Sequence, residues 1–166
     1  MKDIDFSPEE AISFDGETGP YVQYAHARCR NVLRRAGLGA PGTGGGAPTG
    51  ARPAVDGAPA GAGAAAPPAP HPVYAGAPEW ALLTALARFP AAARDAMQRC
   101  EPHLAARALL DLAQALSHFY HESPVLRAEP GAREARLALV AATATVLRRG
   151  LWLLGLEAPP MRDDTH

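Results

Sequence analysis

PHLAARALLDLAQALSHFYHESP, residues 102–124, is the stretch on which the fold reading turns. Leu104, Ala108, Leu109, Leu112, Leu116, Phe119 and Tyr120 recur at three- and four-residue steps, the spacing of one face of an α-helix. Pro102 suits a first helical turn, where its missing N–H has no intrahelical acceptor, and Ser123-Pro124 ends the run. The same punctuation repeats outward. Pro130 opens the longest segment, striped by Leu137, Val140, Ala144, Leu147, Leu151 and Leu154 and stopped by Gly155. Pro78 opens a helix carrying Trp80, Leu83 and Leu86; Pro90 is read as breaking it and starting a short alanine-rich helix that ends near Cys100. Gly19-Pro20 opens a helix with Tyr21, Tyr24, Ala25, Arg28, Val32 and Leu33 on one face, closed by Gly37. Ser7-Pro8-Glu9-Glu10 reads as a capping box for a short helix through about Ser13. Strand signals are absent, so the expected fold is an all-α antiparallel helical bundle.

Composition narrows the choices further. A chain of 166 residues holds one ordinary domain. Aromatics make up only 6%, so the apolar content is mostly alanine and leucine, too poor in β-branched and aromatic residues for a β-sandwich. Residues 37–78 are dominated by alanine, glycine and proline and bury almost nothing beyond alanine. They read as a flexible low-complexity insertion between 21–36 and 79–160, the two parts of the helical domain. The Gly-rich run at 42–46 lacks the following Gly-Lys-Ser/Thr and the preceding strand of a phosphate loop. Formal charge is −1, but its distribution is uneven: residues 1–20 sum to −5, whereas 21–36 carry Arg28, Arg30, Arg34 and Arg35 with no acid. Cys29 and Cys100 form neither a disulfide framework nor a zinc spacing, and no apolar run is long enough to span a bilayer. The expected setting is the cytoplasm.

Few residues are placed for bond-making chemistry. His118, His121 and Glu122 lie within one turn but lack a third ligand at matching spacing, and histidine at a helix C-terminus complements the dipole. Cys29 sits beside arginines that lower a thiol pKa, yet no base accompanies it, and it reads as a packed small residue. Asp15 and Glu17 read as turn residues. No catalytic or metal site is expected. Tyr21, Tyr24 and Arg28 share a helix face, which suits an unpaired base: rings stack on its face, arginine bonds its edge, and the neighbouring arginines extend a positive track. The same spacing equally fits core tyrosines beside a solvated basic face.

The segment FDGETGPYVQYAHAR (14–28) resembles the stretch joining the catalytic domain of arginyl-tRNA synthetases to their anticodon-binding helices. LDLAQALSHFYHESPVL (110–126), ARLALV (135–140), VLRRGL (146–151) and LLGLEAP (153–159) resemble the same domain in the same order. The resemblance implies the all-α DALR anticodon-binding domain, with Tyr21, Tyr24, Arg28 and Tyr120 on the anticodon side and Met161 in the part of the family's C-terminal methionine. It implies the anticodon loop of tRNA(Arg) as partner, with cytosine entering between helix 21–36 and the end of helix 102–122. The family's His-x-Gly-His motif does not occur in these residues, and residues 1–20 look like the end of a catalytic region. The expectation is therefore a truncated, split or excised C-terminal piece that does not aminoacylate alone. ATP and magnesium belong to the catalytic domain, and a separately encoded catalytic fragment is a possible partner. The alternatives are a helical module that only docks on such a synthetase, or a gene fragment without function.

Overall fold

Every long helix begins on or one residue before a proline. The computed structural model describes residues 18–38 and 72–158, in which α1 spans Gly19–Arg35, α2 Ala77–Arg99, α3 Pro102–Glu122 and α4 Pro130–Leu153. A 3₁₀ turn, Pro72–Ala75, precedes α2. No side chain caps the first turns of α2, α3 or α4, so proline, with φ already helical and no N–H to satisfy, sets these starts. The ends are equally local. At Gly37 (φ +79°) and Gly155 (φ +74°) the chain turns left-handed, and the N–H groups of Leu38 and Leu156 donate back to the carbonyls of Leu33 and Leu151, each at 2.9 Å. Cys100 takes the corresponding position after α2 at φ 54°, a conformation that disfavours side chains.

The helices form an all-α antiparallel bundle, and no strand occurs among the described residues. α2 packs chiefly on α3, from which two residues separate it, and α1 packs chiefly on α4. Leu82, Leu109, Leu112, Leu116, Phe119, Val140, Leu147, Leu151 and Cys29 fill the centre with almost no exposure. Each buried leucine contributes roughly 1.5–3 kcal/mol of transfer free energy. Gly150 lets α4 approach α3 closely, since a Cβ there would run into the Leu109 side chain.

Several sequence expectations change. Pro90 does not break its helix: α2 runs through it as one element. Leu82, Phe89 and Ala96 recur at seven-residue steps on the buried side, while Pro90 is exposed, so packing on both flanks outweighs the lost hydrogen bond to Leu86. Trp80 is 64% exposed, Leu82 and Phe89 are buried, and Leu83 and Leu86 pack half-buried against the same core. In α1 the buried set is Val22, Ala25, His26, Cys29 and Leu33, which puts Tyr24 and Arg28 outside. Residues 72–78, expected in the flexible insertion, belong to the helical fold: the Tyr74 hydroxyl donates to the Ala135 carbonyl at 3.1 Å. The helix expected at 7–13, the junction residues 1–17, the insertion at 39–71 and Met161 lie outside the described residues.

Candidate nucleic-acid interface

The outer face of α1 carries the candidate residues. Tyr24, Arg28, Asn31 and Arg35 recur at four, three and four residues, so one stripe runs along the helix. Tyr24 is 58% exposed. Tyr21, one turn earlier, is partly buried against the core. Opposite the stripe stand the last turn of α3 and the loop after it. Between them lies an open groove of about 350 Å³, near the small end of ligand-site volumes, lined by Arg28, Asn31 and Arg35 on one side and by Tyr120, Leu126 and Arg127 on the other.

Arg28 and Tyr120 meet in this groove. The guanidinium carbon lies 4.6 Å from the centre of the Tyr120 ring, within cation–π range. Phe119 braces that ring at 5.7 Å with the planes tilted by 48°. The Tyr120 hydroxyl is buried beside the Cys29 thiol. Burial, and then the neighbouring Cys29, push its pKa up. The Cys29 thiol is also pushed up, to about 12, because burial outweighs the nearby Tyr120 and Arg28. Burial thus overrides the pKa-lowering arginines beside it, in keeping with the packed small residue expected. Phenol and thiol both stay neutral at physiological pH, leaving Arg28 as the only charge of the three.

The groove is uniformly basic. Arg28, Arg35 and Arg127 line it, no carboxylate does, and none of the three arginines pairs with an acid among the described residues. Its loop wall is anchored from below. Glu79, only 2% exposed, accepts hydrogen bonds at Oε1 from the Ser123 hydroxyl (2.7 Å) and from Arg136 Nε (2.9 Å), and the other arm of Arg136 donates to the Pro124 carbonyl at 2.9 Å. One buried carboxylate thus ties α2 and α4 to Ser123 and Pro124, the residues that lead into Leu126 and Arg127.

Arg28 and Tyr120 come together, and Tyr24 stands one turn away on the same face, outside the groove. Tyr21 does not join them. Tyr120 differs from expectation in kind, because one face of its ring is covered by Arg28. Arg35 belongs to the positive track expected beyond Arg28, whereas Asn31, Arg127 and the Glu79–Arg136 anchor were not foreseen; the regular steps from Tyr24 to Arg35 could have shown Asn31, but Arg127 reaches the groove only through tertiary structure. His118 and His121 are exposed, and no group of three or more potential metal ligands occurs among the described residues. No helix there is long and apolar enough to cross a membrane.

Comparison with known proteins agrees with this architecture. Residues 64–161 match the family described as DALR anticodon binding domain. The arginine–tRNA ligase of Pyrococcus abyssi is 38% identical over 158 residues, covering 95% of this chain and 22% of that protein. That of Clostridioides difficile is 38% identical over 159 residues, covering 96% and 24%. The structure of Thermus thermophilus arginyl-tRNA synthetase superposes with a TM-score of 0.69 at 38% identity, covering 97% of this chain and 24% of that one. The chain therefore spans less than a quarter of the length of these relatives, and it belongs to the DALR anticodon-binding domain family in the form found in arginine–tRNA ligases.

Proposed function

We propose that this chain binds the anticodon loop of an arginine tRNA through the outer face of α1 and the groove beside it. The observation that carries the reading is Arg28 held over Tyr120 at the mouth of a basic groove. Arginine codons share a middle G, so their tRNAs share a middle-anticodon C. Cytosine presents O2 and N3 as acceptors, which suit the guanidinium of Arg28. Tyr24 offers an exposed ring on which a splayed base stacks, and Tyr120 fixes the plane of Arg28 from behind. Tyr21, partly buried against the core, steadies α1 beneath this face, and Met161, outside the described residues, takes the part of the family's C-terminal methionine.

In this reading the domain contributes recognition to arginylation in the cytoplasm. The chemical step, with its ATP and magnesium, falls to the catalytic part of a ligase. The ligase relatives, four times as long as the matched region, support that division. Titrating a fluorescent arginine anticodon stem-loop with the full chain tests the assignment. Arg28→Ala and Tyr24→Ala are each expected to weaken binding by about tenfold or more, since a stacked base or a charged hydrogen bond contributes on the order of 1–3 kcal/mol. Unchanged affinity in both variants would remove this face from the interface.

A further inference from the structure

We infer that Arg35 and Arg127 grip a backbone phosphate of the bound RNA from opposite walls of the groove, a role distinct from base reading by Arg28; this rests on the anticodon-binding reading above. Arg35 stands two turns beyond Arg28 on the same stripe of α1, and Arg127 rises from the loop across from it. Both are exposed, and neither pairs with an acid among the described residues. Arg28 is committed to the Tyr120 ring and is thereby aimed, whereas the other two guanidiniums are free to follow an anion.

A basic residue in the last turn of α1 is accounted for by the helix dipole, but that explanation does not reach Arg127, which stands on a loop. Two cations facing one groove without a carboxylate repel each other, and an anion between them relieves the repulsion. The ligand chemistry this selects is a phosphodiester, because guanidinium forks match phosphate oxygens in pairs. The loop that presents Arg127 is also held in place: Ser123 and Pro124, at its root, are bonded to the Glu79–Arg136 pair. A grip of this kind sets the register of the RNA so that one base falls at Arg28, and it carries no sequence information of its own.

The test is the salt dependence of stem-loop binding by the full chain, read by fluorescence anisotropy over a series of potassium chloride concentrations. For a single-stranded loop, every phosphate that a protein cation neutralises adds about 0.7 to the steepness of log K against log salt. Because the two share one phosphate, the double variant Arg35→Ala with Arg127→Ala is expected to make the slope shallower by about that amount, with the preference for a middle C over a middle G unchanged. Arg35→Lys and Arg127→Lys keep the point charge and should retain the slope. Arg88→Ala, an exposed arginine on α2, should match the unaltered chain. A slope unaffected by the double variant Arg35→Ala with Arg127→Ala overturns the phosphate grip while leaving anticodon binding standing, and so does a weakening confined to the middle-C stem-loop. Failure of the unaltered chain to bind any stem-loop overturns the anticodon reading and the grip together.

Discussion

Arg136→Ala is expected to destabilise the fold by about 3–5 kcal/mol, the range for stripping one partner from a buried ion pair. Glu79 is 2% exposed, and both Nε and one terminal nitrogen of Arg136 reach its Oε1 at 2.9 Å. Truncating the arginine leaves that carboxylate with Ser123 as its partner among the described residues, in a site where water does not reach it easily. Gly76 packs so tightly against the same carboxylate that even a Cβ there would collide with Glu79 Oε2, so the group has little room to swing away. The change also frees the Pro124 carbonyl, so the loop wall of the groove loosens along with the core. Urea unfolding gives the measurement, with a lower midpoint at an unchanged m-value. The double variant Glu79→Leu with Arg136→Leu removes both charges and should recover most of the deficit. A shift below about 1 kcal/mol in Arg136→Ala would show that the pair is solvated and the anchor is not one.

Acid is expected to weaken this protein through His26 in a window set by burial. His26 lies on the inner face of α1 with no hydrogen-bond partner at Nδ1 among the described residues. Burial, then Arg30 and Arg148, lower its pKa from 6.5 to about 4. Between those values the unfolded chain holds a proton that the folded chain refuses, so stability rises with pH across the window. The penalty is absent well above pH 6.5, grows as pH falls, and is complete below about pH 4. At pH 4.5 it amounts to about 2–3 kcal/mol relative to pH 7.5. Carboxylates titrate in the same range, so the readout is a difference between two chains. In His26→Gln the fall in stability from pH 7.5 to 4.5 should be smaller by about that amount. Equal pH dependence in the two chains would place His26 in contact with water.

The two ends of α1 and of α4 were legible because their signals are local. A proline in the first turn and a glycine at positive φ act within a few residues, and both act here as the sequence suggests. The register of α2 was not legible. Hydrophobicity favoured turning Trp80 inward, but Glu79 faces the core instead, because its partner Arg136 arrives from another helix 57 residues away. Pro90 misled for a related reason: its local penalty is outweighed by Leu82, Phe89 and Ala96, whose shared buried side is visible only at heptad spacing. On α1 the expected single face divides: Tyr24 and Arg28 point outward while Tyr21 packs partly against the core. Val22, Ala25, Cys29 and Leu33 take the core, leaving Tyr24 and Arg28 outside. The cysteine shows the limit of proximity in sequence, since desolvation at Cys29 exceeds the influence of the adjacent Arg28. Half of the groove comes from residues 120–127, nearly a hundred positions from the other half, and only packing joins them.

Base reading by Arg28, set by Tyr120, is measured most directly in a four-way titration: the unaltered chain and Arg28→Ala, each with a stem-loop carrying C or G at the middle position. The unaltered chain should prefer C by about tenfold or more, and Arg28→Ala should reduce that preference to within about threefold. Equal affinity of the unaltered chain for both stem-loops, or a preference that survives intact without the guanidinium, would contradict it.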